Sequence, residues 1–186
     1  MTLFDALRES HRLQRLLCRR LIATRDPLRR QPLFLQLKVE LEAHAAAEER
    51  YLYIPMLMTD AGLSASRHAL SEHHDIQELC EDLSVRNKSG DDWTLTMSQL
   101  SRKVHHHLRE EERKFFKVGG RLLDAPLKLR LARQYTADVV RLRSVYAERY
   151  ATLEVNAAGA VRVRQSRVVP AAAASLQALQ IRPGFG

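Results

Sequence analysis

The sequence predicts an all-α protein: an up-down-up-down four-helix bundle followed by an additional C-terminal helix and a basic tail. Apolar residues recur at three- and four-residue steps through long runs, the period of a helix with one buried face. The 186 residues include only seven Gly and six Pro, and these fall mainly between the periodic runs. The connections are short, which makes successive helices antiparallel neighbours.

Thr2-Leu3-Phe4-Asp5 has the form of a capping box, and Leu3, Leu7, His11, Gln14, Cys18 and Leu21 follow at helical spacing. This helix should end near Arg25-Asp26-Pro27, because a residue preceding proline resists helical geometry. The second helix is expected from about Gln31-Pro32, with Pro55 loosening its last turn and Gly62 closing it. Ser64 or Ser66 would cap a third helix carrying Leu70, His73, Ile76, Cys80 and Leu83. Asn87-Lys88-Ser89-Gly90 reads as a turn, and Asp91 or Asp92 as the cap of a fourth helix ended by Gly119-Gly120. A fifth amphipathic helix starts at Asp124-Ala125-Pro126, with Leu127, Leu131, Tyr135, Val139 and Leu142 along one stripe. Three segments result: the bundle over 1–120, a helix packing on it over 121–155, and a basic, partly flexible tail over 156–186, in which 171–181 has the composition of a short helix.

Composition narrows the function classes. No stretch has the uninterrupted apolar length of a membrane span. Asp5 and Glu9 fall where a signal peptide would be apolar, so a cytoplasmic protein is expected. Cys18 and Cys80 are too few and too far apart for a disulfide framework, and read as small core residues sharing one layer. The net charge of +8 belongs almost wholly to the C-terminal part, where eleven basic and four acidic residues follow Gly120. That basicity suits an acidic protein partner, but it comes without a groove-reading motif, so nucleic acid is not an expected partner.

The chemistry lies on the helix stripes. In Leu41-Glu42-Ala43-His44-Ala45-Ala46-Ala47-Glu48, His44 and Glu48 are four residues apart and so stand one above the other on the apolar face. Burying such a pair is costly unless something neutralises it, and a metal ion does so. His107 and Glu111 repeat the spacing on the fourth helix. Helical phase selects His107 from His105-His106-His107, since it shares a face with Leu100, Val104 and Phe115, whereas His106 shares one with Gln99, Lys103 and Glu110. The same reasoning selects His73 over His74, and His68 has only polar neighbours. With His11 on the first helix, the inward set is His11, His44, Glu48, His73, His107 and Glu111. Four imidazoles and two carboxylates suit iron, manganese or zinc. With the four His as terminal ligands and both Glu bridging two ions, positions remain open for water, a bridging oxo group, O2, peroxide or NO.

These residues resemble the hemerythrin-like HHE cation-binding family, over roughly Leu3 to Val118. The family pattern appears here as His11, then His44 to Tyr53-Ile54-Pro55, then Glu72-His73, then His107 to Phe116-Lys117. Ile54 is interposed before the first proline of that pattern, and Lys117 replaces the second. Gln77 stands where the oxygen-carrying members have a further His, and the fourth-helix pair, His107 with Glu111, is His-x-x-x-Glu where those members have His-x-x-x-x-Asp. The six-ligand pattern is closer to bacterial proteins linked to repair of iron centres and to oxidative or nitrosative stress. The resemblance implies an oxo- and carboxylate-bridged di-iron cofactor, with zinc or manganese as substitutes, and a small diatomic or peroxide ligand. The alternatives are an iron- or oxygen-sensing regulatory protein whose tail engages a partner, and iron storage or donation.

Overall fold

The computed structural model describes residues 1–158, with side chains described to Thr152. The expected tail helix over 171–181 lies outside the described residues. Every regular element among the described residues is helical.

α1, Leu3–Ala23, opens on the expected capping box: Asp5 donates its N–H to Thr2 Oγ1 at 3.4 Å, and Asp5 Oδ2 accepts the Thr2 N–H at 2.9 Å. Its buried positions include the predicted stripe from Leu3 to Leu21. α2, Pro27–Glu48, begins earlier than expected. Asp26 accepts the Leu28 N–H at 2.9 Å and Pro27 takes the first helical position, so Pro32 falls inside the helix. Proline there removes one backbone donor near the helix start, and the side-chain cap and favourable Pro27 offset that loss.

α2 does not stop at Glu48. It runs through a π-helical turn, Glu49–Tyr53, into α3, Ile54–Leu57. The Ile54 N–H reaches back five residues to the Glu49 carbonyl. The fourth rod repeats the device: α5, Asp91–Glu110, passes through a π turn, Glu111–Phe115, into α6, Phe116–Leu122. There the Phe116 N–H donates to the Glu111 carbonyl. Pro55 follows the first π turn but Lys117 stands beyond the second, so proline is not what both turns require. A π turn places residues five apart on one side. Glu48 and Tyr53, and likewise Glu111 and Phe116, are therefore buried together.

α4, Asp60–Val85, also starts earlier than the serines suggested, because Thr59 caps it by accepting the Gly62 N–H at 3.1 Å. Gly62 lies inside α4 rather than closing the preceding helix, and its role is contact: a Cβ there would come 2.3 Å from the Met56 carbonyl oxygen. At α5 the cap position is Gly90, and Asp91 and Asp92 occupy the first turn, where carboxylates face the positive end of the helix. Gly119 and Gly120 lie within α6, and a Cβ on Gly119 would crowd Leu52 Cδ1 at 3.2 Å and Met56 Sδ at 3.3 Å. α7, Ala125–Ala158, starts where Asp124 Oδ1 accepts the Leu127 N–H at 2.7 Å.

α1 packs on α2 and α5, α4 packs on α5 and α3, and α2 meets α4, closing an antiparallel ring of four rods. The core has two apolar clusters. One holds Leu3, Leu7, Leu52, Tyr53, Met56 and Phe116, joined by Leu131, Tyr135 and Val139 of α7. The other holds Leu17, Leu37, Leu83, Trp93, Leu100 and both cysteines. Each candidate ligand falls on its helix between members of the two clusters: His11 between Leu7 and Leu17, His44 between Leu41 and Ala47, His73 between Ala69 and Ile76, His107 between Val104 and Phe115. The bundle is an apolar column interrupted by one polar layer. No helix among the described residues is long and apolar enough to cross a membrane.

Two predictions follow from this packing. Gly62→Ala should cost about 2 kcal/mol by overpacking, read as a lowered midpoint in urea unfolding. Burial raises the Cys18 thiol to about 12 and moves Cys80 in the same direction, and both are free. Neither should react with an aromatic disulfide reagent at pH 8 in the folded chain, and both should react at once in denaturant.

Candidate metal centre

The polar layer gathers all six inward residues expected from the sequence. His11 arrives from α1, His44 and Glu48 from α2, His73 from α4, His107 from α5, and Glu111 from the start of the second π turn. All six are buried. They make two overlapping donor groups, His11–His44–Glu48–Glu111 and Glu48–His73–His107–Glu111, in each of which the ligand atoms lie within 4.8 Å of one another. Both glutamates belong to both groups.

The outer nitrogen of every imidazole is held. His11 Nδ1 lies 2.9 Å from Glu112 Oε1, which also accepts from Arg15 at 2.9 Å. His73 Nδ1 lies 2.9 Å from Glu49 Oε1, and His107 Nδ1 lies 2.9 Å from Glu72 Oε2. A carboxylate accepts, so each of these Nδ1 atoms carries the proton and donates. His44 Nδ1 lies 2.8 Å from the Tyr135 hydroxyl oxygen, and that hydroxyl donates onward to Ser10 Oγ at 2.7 Å. With the tyrosine proton committed to Ser10, the phenolic oxygen accepts from His44 as well. For neutral rings one tautomer is thereby set for all four, with Nε2 unprotonated and turned to the interior.

Among the described residues nothing donates to the Nε2 atoms of His11 and His44. His11 Nε2 stands 3.3 Å from Glu111 Oε2, His44 Nε2 3.2 Å from Glu48 Oε2, and His107 Nε2 3.5 Å from Glu111 Oε2. These are acceptors facing acceptors. Both oxygens of Glu48 and of Glu111, and the Nε2 atoms of His11 and His44, have no hydrogen-bond partner in the protein. His73 Nε2 and His107 Nε2 face each other at 3.0 Å. A cation between such groups converts each repulsive contact into a bond, and the donor set fits one on either side of the glutamate pair.

Without cations the protons are pulled in opposite directions. Burial drives His11 down to about 4 against the hydrogen bond to Glu112, and burial also lowers His107. Burial would lower His73 too, but the adjacent carboxylates of Glu48 and Glu49 outweigh it and raise His73 to about 9. Burial pushes both bridging carboxyls upward, but the neighbouring imidazoles carry Glu48 well below the usual range. Burial and the adjacent Glu48 charge leave Glu111 well above it. Two carboxyls in one dry site do not both ionise.

The residues that hold the rings were not singled out in the sequence. Glu49 and Glu112 are the second members of the two His-x-x-x-Glu-Glu runs, and that doubling was the available signal. Tyr135 read only as part of an apolar stripe; its hydroxyl becomes relevant once α7 lies across α1 and α2, where Arg143 also forks onto Glu40 at 2.6 and 2.8 Å. The Tyr53 hydroxyl and Gln14 Nε2 are buried and unpartnered, Tyr53 with its ring against His73 at 5.8 Å and Gln14 one turn along α1 from His11. Phe116 stacks on the His11 ring at 5.6 Å and walls off that side. His74 and His106 lie on the surface.

An antiparallel four-helix bundle with one buried histidine–carboxylate layer defines a class of metal-binding proteins. The chain belongs to the hemerythrin HHE cation binding domain family, whose model matches residues 2–118. A DNA nickase of Nostoc sp. (strain PCC 7120) is 29% identical over 116 residues, which are 62% of this chain and 33% of the relative. The chain thus spans about a third of that relative's length. A crystal structure of a hemerythrin HHE cation binding domain-containing protein from Mycobacterium kansasii superposes with a TM-score of 0.70 at 18% identity, covering 87% of this chain and 95% of that one, and so shares the fold. Tyr135 lies beyond the matched residues 2–118, yet it holds one of the six.

Tyr135→Phe keeps the packing and removes the acceptor for His44. Metal affinity should fall by about 10–100-fold in chelator competition, with helical content by circular dichroism unchanged.

Proposed function

We propose that the chain is a non-haem di-iron protein that binds or reacts with O2, peroxide or NO, serving in oxidative or nitrosative stress or in iron homeostasis. The observation that carries this reading is the sharing of Glu48 and Glu111 by two donor groups of otherwise equal composition. In it, His11 and His44 hold one ion, His73 and His107 the other, and the two carboxylates lie between. Bound iron would supply a ferrous–ferric couple and coordination positions that the protein leaves open.

The remaining roles fall to the chain. Glu112, Tyr135, Glu49 and Glu72 fix the ring tautomers, so the rings enter already oriented and without a proton to lose from Nε2. The apolar clusters above and below exclude bulk water and leave a low-dielectric chamber suited to an uncharged small molecule.

The test is anaerobic ferrous loading of tag-free protein followed by air. Two irons per chain and a new ligand-to-metal charge-transfer band are expected. His11→Ala and His73→Ala should each lose one ion, and Glu48→Ala should lose both along with the band. A wild-type chain that binds iron and shows no such band would overturn the reading.

A second reading is favoured by the charge distribution and by the printed name of the nickase relative. Here the ions hold the bundle together and the basic C-terminal segment engages an acidic partner. Deleting the residues after Asn156 separates the two: unchanged redox chemistry with lost binding to an acidic protein or to plasmid DNA favours the second. Rapid transfer of bound iron to an acceptor would instead point to storage or donation.

A further inference from the structure

The His-x-x-x-Glu spacing of the central layer occurs again on the outside of the bundle. α4 carries His68 and Glu72, and the neighbouring antiparallel α5 carries His106 and Glu110. His68, Glu72 and Glu110 converge across the α4–α5 seam, and His106 stands beside them. His68 Nε2 lies 3.4 Å from Glu110 Oε2 and 3.7 Å from Glu72 Oε2. His106 Nε2 lies 3.3 Å from Glu110 Oε2 and 3.7 Å from Glu72 Oε1. A tetrahedral ion with bonds of about 2.1 Å separates its ligand atoms by about 3.4 Å. The ligand atoms of His68, Glu72 and Glu110 all fall within 4.8 Å of one another.

Burial divides the four by task. The carboxylates are seated in the seam, with side chains 5% and 14% exposed for Glu72 and Glu110, whereas the imidazoles of His68 and His106 are 53% and 60% exposed. The negative charges are therefore held in place while the imidazoles close over them from solvent, an arrangement that admits an ion from outside. His68 is steadied by an edge-on contact with Phe115 at 6.0 Å. Two hydrogen bonds hold the carboxylates: Glu110 Oε1 accepts from Lys114 at 2.6 Å, and Glu72 Oε2 accepts from His107 Nδ1–H at 2.9 Å.

We propose that His68, Glu72 and Glu110, with His106 beside them, form a separate, outward-facing site for one divalent transition cation of the zinc class, joined to the central layer through Glu72. One imidazole nitrogen and two carboxylate oxygens give it three donors of the kind such an ion takes, with the exposed side left to water or His106. A cation on the Glu72 carboxylate also draws charge from the oxygen that orients His107, so the outer ion and the central layer share one carboxylate. His74 and Glu78 supply an internal contrast: the same spacing at 3.3 Å, fully on the surface and with no second pair opposite it.

The experiment is equilibrium dialysis of the metal-stripped full-length, tag-free chain against zinc, repeated with cobalt to read tetrahedral absorption bands. Wild type should take up three equivalents, and His68→Ala with His106→Ala should take up two and lose the bands of the outer ion. His74→Ala should behave as wild type. The proposal is overturned if the double variant binds as much as wild type, or if His74→Ala loses an equivalent as readily as the double variant does. Glu48→Ala with Glu111→Ala keeps the two readings apart: it should retain one equivalent. A wild-type chain that takes up one equivalent, lost in the His68→Ala with His106→Ala variant, would count against the di-iron reading and leave the outer site standing.

Discussion

The structure depends on how four imidazoles are turned. As a neutral ring each gives its Nδ1–H to an acceptor outside the layer and turns Nε2 toward two carboxyl groups. Lone pairs held at 3.0–3.6 Å from one another in a dry interior repel. Only protons or cations relieve that repulsion. Protons do so poorly here, because they pull neighbouring groups in opposite directions: His11 down and His73 up, Glu48 down and Glu111 up. Cations between the six residues would relieve every contact at once.

Several features of the fold serve that arrangement. The π turns after Glu48 and at Glu111 rotate the following residues, so that Tyr53 and Phe116 wall the layer instead of facing solvent. Gly62 and Gly119 allow the helix ends to approach closely where side chains would hold them apart. α7 lies outside the residues that match the family and contributes Tyr135, whose hydroxyl links His44 to Ser10. An element that reads as a packing helix is thus also part of the support for a candidate ligand. Arg143 of the same helix donates to Ser10 at 3.4 Å and to Glu40, which fastens that support to the second helix.

The ring-holding groups differ in exposure, and the difference bears on the layer. Glu112 is shared between His11 and Arg15 at the edge of the bundle, and its carboxyl is held down to about 2, chiefly by the His11 hydrogen bond. Tyr135 is buried, and burial raises its phenol far above the ordinary value, so it remains a neutral hydroxyl at any physiological pH. Three rings are therefore held by carboxylates and one by a neutral group.

Much of this was legible in the residues alone. Helical phase separated His107 from two adjacent histidines and His73 from His74, because a core stripe admits one residue per turn and the sequence prints its period directly. The spacing of His44 to Glu48 and of His107 to Glu111 likewise placed each pair on one face. Helix starts were less legible. Asp26 and Thr59 outcompeted later candidates as caps, and a cap is chosen by which side chain reaches a free backbone N–H. The sequence by itself determined the all-helical bundle, its inward stripes and the six polar residues upon them, since these follow from local periodicity. Tertiary structure decided which imidazoles face each other, that both glutamates serve both donor groups, and that Tyr135 and Glu72 hold rings on other helices. Those are relations between segments up to a hundred residues apart, fixed by packing and by the direction of hydrogen bonds, and no local pattern encodes them.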